Sequence, residues 1–327
     1  MRSTKTRGRV AAGNPGGAVA FSARRFFPLL FFCAAFPFAL ASCASVSPVD
    51  GRPLAEAASP GDALPLWRPF PTADSRDGVY CLAYFSGRIL RPRLEFHALR
   101  LCLLSPVLGI TVAAGGGGGP EADGVLGARV SSFVRDNDLL AGINALPFDP
   151  VSGREGEPRT NVGVVIADGR VISPPDQRFY ALVFFRDGGA AIKRQSEIGR
   201  AENIENAVGG FGRILEGYRP VPRVLGLEAR HPRSAAGVSS CGGFLYLLAI
   251  DGRRRGSVGG TEAETALLLR ALGAAEGINF DGGGSTALAA RFHDGRVRVM
   301  NTPIHGQIRG RERAVAGVLG IGKRADR

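Results

Sequence analysis

The densest chemistry in this chain lies between Asn279 and Thr286, in the run NFDGGGST. An amide (Asn279), an aromatic ring (Phe280) and a carboxylate (Asp281) come in succession. Gly282, Gly283, Gly284, Ser285 and Thr286 follow at once. Consecutive glycines are costly, because glycine loses more backbone freedom on folding than any other residue. A chain that keeps three of them usually needs positive φ angles, or a backbone without Cβ beside a ligand. The plainer alternative is a strand ending in a loose turn, but the flanking carboxylate, amide and hydroxyls favour a site. A second cluster, His231-Pro232-Arg233-Ser234, places a proton-transfer group beside a guanidinium. Imidazole exchanges protons near neutral pH, and guanidinium offers a rigid fork suited to phosphate or carboxylate. Its competing reading is a surface loop with incidental polar residues.

Asp251 closes the apolar run GFLYLLAID and reads equally as a turn residue or a site carboxylate. Asn301 and the pair Glu312-Arg313 complete the inventory. The sequence has no Gly-x-Ser-x-Gly elbow, Cys-x-x-Cys pair, His-Glu-x-x-His helix or phosphate-binding loop ending in Gly-Lys-Ser/Thr. What remains is carboxylate and histidine acid–base chemistry, with arginine and backbone amides to hold an anion. No cofactor is evident. Acidic side chains near glycines leave room for a divalent cation, but no ligand spacing demands one.

The elements that must position these residues are mostly strands. With 47 glycines and 21 prolines in 327 residues, turns are frequent and a helical bundle is disfavoured. The expected fold is one α+β domain, a mixed, largely antiparallel sheet built from hairpins with a few packed helices. Asp168-Gly169, Asp187-Gly188 and Asp294-Gly295 each separate two β-prone runs, so these three aspartates read as hairpin turns of type I′ rather than catalysts. Short helices are expected at 129–140 and from Asn203 to Ala207. The clearest helix runs from Thr261, with a capping box to Glu264, to Gly273 at the C′ position. It leads directly into Asn279. The box gives Glu264 a structural explanation. The run Gly243 to Asp251 reads as a buried strand.

The N-terminus carries a targeting signal. Arg24 and Arg25 precede an apolar run from Phe26 to Leu40 that is interrupted by Pro28 and Pro37. It is shorter than the ~20 apolar residues that span a bilayer and fits the h-region of a secretory signal. Leu40-Ala41-Ser42-Cys43 resembles the lipobox of bacterial lipoproteins. That resemblance implies cleavage after residue 42, lipid on Cys43 and a membrane-tethered, exported protein of a cell envelope. An ordinary signal peptide is the alternative. Residues 43–77 read as a Pro-, Ala- and Ser-rich tether and 78–327 as the domain. The span from Ala113 to Asp123, with five consecutive glycines, reads as a mobile loop. Of Cys81, Cys102 and Cys241, one disulfide or three free thiols are both possible. The net charge of +12 does not indicate nucleic acid. Six basic residues before Cys43 supply half of it, and the remaining basic clusters lack interleaved aromatics.

Together these segments resemble the phosphodiester glycosidase family. The resemblance is carried by INALPF from Ile143, HPRS from His231, AIDG ending at Gly252, TEAE from Thr261, NFDGGGST, NTP from Asn301, and Glu312-Arg313. It covers about Asn144 to Ile321. The main departure is Ala145-Leu146-Pro147, where the family has a glycine and a first aromatic, so sugar specificity does not carry over. The resemblance implies hydrolysis of a sugar-1-phosphodiester at the anomeric carbon. Cleavage through an oxocarbenium-like state needs a carboxylate near the ring, which places Asp281 there as nucleophile, base or electrostatic stabiliser. Arg233 would hold the phosphodiester, with Arg313 a weaker candidate, and His231 would shuttle a proton. Asn144, Asn279, Ser285 and the Gly282–Gly284 backbone would bind sugar or phosphate oxygens, with Asp251 and Glu264 supporting them. A non-catalytic glycan-binding lipoprotein and an ordinary glycoside hydrolase are the competing classes.

Overall fold

The computed structural model describes residues 68–69, 82–114, 125–198, 203–227 and 229–324. The signal segment, Cys33, Cys43, Cys81 and the glycine run from 115 lie outside the described residues. Within the span read as tether, Arg68–Pro69 forms a short strand antiparallel to Ala83 and Tyr84.

Strands distant in sequence build the largest sheet. Its eight members run in the order Arg68–Pro69, Leu82–Leu90, Arg93–Cys102, Phe244–Ile250, Arg233–Val238, Glu276–Asn279, Gly212–Glu216 and Arg219–Pro220. All these pairs are antiparallel, and the register sets Arg233 opposite Ile250 and Ala235 opposite Asn279. The HPRS segment, the end of AIDG and the approach to the glycine run therefore finish side by side.

Period-2 alternation sends apolar side chains to both faces of this sheet. Leu94, Phe96, Ala235, Leu248 and Ile250 meet the helix α2 (Glu262–Leu272) through Leu268, Leu269 and Leu272. Leu99, Leu101, Leu247, Ala249 and Ile278 on the other face meet two five-stranded sheets. One of these contains Ile204–Gly210 and Tyr180–Phe185. The other contains Leu288–Arg291, Ala141–Asn144 and Gly317–Lys323. The second carries the short helix α1 (Val130–Asp136) on its outer side, through Val130, Phe133 and Val134. Burying an aliphatic or aromatic side chain contributes roughly 1.5–3 kcal/mol. Phe280, fully buried in the core between the sheets, thus anchors the peptide that carries Asp281.

Helices are fewer than an α+β assignment suggests. Among the described residues only α1 and α2 are α-helical, and the fold is predominantly antiparallel β. The helix expected at Asn203–Ala207 is instead part of the strand Ile204–Gly210, paired with Tyr180–Phe185 and with Val165–Ile166. Its alternating side chains pack on both faces of a central strand, and that burial overrides local propensity. The three Asp-Gly hairpins are present, but their turns differ. Asp168 and Gly169 both have positive φ, as type I′ requires. In the second hairpin Gly188 and Gly189 take that role, and in the third Gly295 does, without the aspartate. The capping box at Thr261 and the left-handed Gly273 stand as expected. Cys241 is a free thiol.

Candidate active site

Asn144 ends a strand of one sheet, and Asp281 lies two residues past the end of a strand of another. The two are locked together. Asn144 Nδ2 donates to the Asp281 carbonyl at 2.6 Å, and the Asp281 amide donates to the Ala145 carbonyl at 2.7 Å. Asn144 Oδ1 accepts from Ser234 Oγ at 2.6 Å and from the Ala287 amide at 3.1 Å. One buried amide therefore joins HPRS, the backbone of Asp281 and the end of the glycine run. Its polar atoms are spent on the protein, so the expectation that Asn144 binds substrate gives way to a positioning role.

The glycine run is tightly overlaid. A Cβ on Gly282 would lie 2.6 Å from the Pro232 carbonyl, one on Gly283 would lie 3.1 Å from Arg253 Nη2, and one on Gly284 would lie 2.5 Å from Arg313 Nη2. Gly283 also has φ of +63°. The Gly283 amide donates to the Pro232 carbonyl at 2.8 Å, and the Gly282 amide faces the Asp281 carboxylate. Both of these amides are engaged within the protein, and the glycines clear space for a crossing backbone and two guanidiniums.

Asp281 is half-buried. Loss of hydration pushes its carboxyl above the ordinary carboxylate range, against the opposing pull of the Ser285 hydroxyl, Arg313 and the Gly282 amide. Ser285 Oγ accepts from Arg313 Nη1 at 3.0 Å, and Arg313 Nε donates to His305 Nδ1 at 3.1 Å. Arg313 is fixed from its neighbour Glu312, which takes the Ser131 amide at 3.1 Å in the first turn of α1. His231 lies against the same turn, its Nδ1 3.5 Å from Arg253 Nη2. Burial, then Arg233 and Arg253, hold its imidazole below the usual histidine range.

Other expected residues are engaged elsewhere. Arg233 Nε and Nη2 donate to the carbonyls of Gly260 and Ala229, both at 3.1 Å, and Nη1 lies 3.6 Å from Glu262. Its fork is thus committed to the start of α2 rather than to the glycine turn. Glu264 holds Arg230 through two contacts of 2.6 and 2.7 Å and caps Thr261. It belongs to that same corner, away from Asp281's partners. Asn279 is almost fully buried, and its Oδ1 has no partner among the described residues. Asp251 is buried, taking the Thr302 amide at 2.8 Å, Asn301 Nδ2 at 3.3 Å and Arg254 Nη2 at 2.5 Å. Asn301 in turn donates to the Thr286 carbonyl, so Asp251 braces the glycine run from behind. Two residues not singled out in sequence join the site, Arg253 and His305. The scarcity of histidine, four in the chain, was the available signal for the second. Arg253 was concealed in a short basic run. Among the described residues, no group of three or more His, Cys, Asp or Glu is placed to hold a metal.

The family model for phosphodiester glycosidase matches residues 137–322, more than half of the chain and all of this site. The chain belongs to the phosphodiester glycosidase family. Among solved structures it is similar to the zebrafish N-acetylglucosamine-1-phosphodiester α-N-acetylglucosaminidase catalytic domain, auto-inhibited by its pro-peptide. That match has TM-score 0.58 and 19% identity, over 84% of this chain and 92% of that one. It is also similar to a hypothetical protein from Synechocystis, with TM-score 0.51 and 16% identity over 74% of this chain and 62% of that one. At these identities the likeness concerns the fold. No curated protein sequence matches.

Proposed function

We propose that this phosphodiester glycosidase family member hydrolyses a sugar-1-phosphodiester, releasing the sugar and leaving a phosphomonoester. One observation carries the reading: a half-buried carboxyl with a raised pKa, Asp281, faces a guanidinium, Arg313, across a glycine turn. A carboxylate whose pKa moves toward neutrality is a better base for a water attacking the anomeric carbon. A phosphate leaving group needs negative-charge stabilisation more than protonation, and preorganised guanidiniums supply it. Arg313 and Arg253 take the role first given to Arg233. His231, neutral near pH 7, moves a proton at the leaving side. Export and a lipid tether at Cys43 remain part of the proposal, supported by the N-terminal pattern. No helix among the described residues is long and apolar enough to cross a membrane.

The test is incubation of purified protein with UDP-GlcNAc or another sugar-1-phosphodiester, following free sugar. Asp281→Asn is expected to lower turnover by at least about 100-fold, the lower end of what a positioned acid–base group contributes, without lowering the thermal midpoint. Full activity in that variant sinks the assignment, and a collapsed fold instead favours a purely structural turn. Ligand binding without turnover in the native protein would leave a glycan-holding role.

A further inference from the structure

Two guanidiniums converge on the glycine turn with little negative charge to share. Arg253 and Arg313 overlie successive residues, Gly283 and Gly284, and the charge of Arg253 acts against that of Arg313. Among the described residues neither forms an ion pair within 4.0 Å. The carboxylate that acts on Arg313 is Asp281, itself biased toward its neutral form. Arg253 also sits at φ +55°, a left-handed conformation that a side chain adopts at a cost. Converging cations without matching anions repel, and a ligand of opposite charge relieves that repulsion.

An imidazole stands beside each guanidinium. Guanidinium can only donate, so His305 Nδ1, at 3.1 Å from Arg313 Nε, is an acceptor and its proton sits on Nε2. His231 Nδ1 faces Arg253 in the same way at 3.5 Å. The charged groups acting on His231 are Arg233 and Arg253, and those on His305 are Arg313 and Arg311. All four are cations. Asp281 is present only through Arg313.

We infer that Arg253, His231, Arg313 and His305 form a binding site for a tetrahedral dianion, the phosphomonoester product, and that imidazole protonation sets how tightly it is kept. The source of the dianion rests on the proposed reaction; the site itself does not. A phosphodiester carries one negative charge, whereas a phosphomonoester approaches two above its second pKa of about 6. Two permanent cations therefore favour product over substrate. Burial and the surrounding arginines keep both imidazoles neutral at pH 7. A bound dianion reverses that balance. As pH falls each ring gains a proton on Nδ1, gives up its acceptor contact with the guanidinium and adds one charge to the site, so affinity for a dianion rises toward acid and release is fastest above neutrality.

Sulfate is the probe, because it keeps two charges throughout the range and leaves only the protein to titrate. Calorimetric titration of the full chain is expected to show binding about tenfold or more tighter near pH 5.5 than near pH 8, one added charge at contact range being worth that factor. Arg253→Gln or Arg313→Gln should weaken sulfate binding at both pH values, and Arg253→Lys should retain most of it. The double variant His231→Gln, His305→Gln should keep the affinity at pH 8 and lose the rise toward acid. Absence of sulfate binding, or affinity indifferent to Arg253→Gln, overturns the site. A rise that survives the double variant and disappears in Asp281→Asn assigns the titration to the carboxylate and overturns the imidazole mechanism. Turnover of a sugar-1-phosphodiester is read separately. Sulfate binding without turnover rejects the reaction and keeps the anion site, and turnover that sulfate does not inhibit does the reverse.

Discussion

At the scale of single residues, the position of the carboxylate depends on Asn144. Its side chain satisfies a carbonyl, a hydroxyl and an amide from three residues, two flanking the glycine run and one in HPRS. Truncation leaves those groups buried without partners, and each unsatisfied group costs about 1–3 kcal/mol, part of which relaxation recovers. Asn144→Ala should therefore lower the unfolding free energy by about 2–4 kcal/mol in a urea titration and reduce turnover well beyond the unfolded fraction. A variant with native stability and native turnover would remove Asn144 from the positioning role. The same reasoning distinguishes aspartates that look alike in sequence. Asp168 and Asp294 lie in turns, where Asp294 takes the Arg296 amide, while Asp281 follows a buried strand end beneath two guanidiniums.

At the scale of elements, α2 is a brace for the corner that holds HPRS. Thr261 caps it, Glu262 meets Arg233, and Glu264 holds Arg230. Thr261→Ala should cost about 1 kcal/mol, the usual value for a lost N-cap, seen as a lowered thermal midpoint with kcat nearly intact. Loss of kcat at unchanged stability would mean that this corner takes part in the chemistry. The helix was legible because its signals are local, a capping box within four residues and a C′ glycine. The glycine run, the strand Phe244–Ile250 and the hairpin positions were legible for the same reason. The direction of Arg233 was not legible because neighbouring residues on a strand face opposite ways. Ser234 turns to Asn144, whereas Arg233 turns to α2, and nothing in four adjacent letters says which face holds the site. Arg253 and His305 come from loops whose convergence on Gly283 and Gly284 depends on strand pairings far apart in the chain. The strand Ile204–Gly210 was hidden because only its two buried faces specify it.

At the scale of the whole molecule, three sheets meet where Asp281 is held, and its burial there couples folding to protonation. Because its folded pKa is raised, the native state keeps a proton that the unfolded chain releases near the ordinary carboxylate range. Stability from this group is present at acid pH, is lost as pH rises through the raised pKa, and stays lost above it. Asp176 has the opposite sign. Arg178 pulls its pKa down to about 2, so its contribution is present above the ordinary value and disappears as pH falls toward that point, with solvent screening at the surface keeping it small. Asp281→Asn removes the first dependence and leaves the second. The thermal midpoint of the variant minus that of the native protein should accordingly grow as pH rises from the ordinary carboxylate range towards neutrality, while the raised carboxyl deprotonates. A constant difference across that range would show that Asp281 is not held against ionisation by the fold. A growing one would show that the native chain gives up stability at neutral pH to keep that carboxyl in place, the trade expected of a site built for proton transfer.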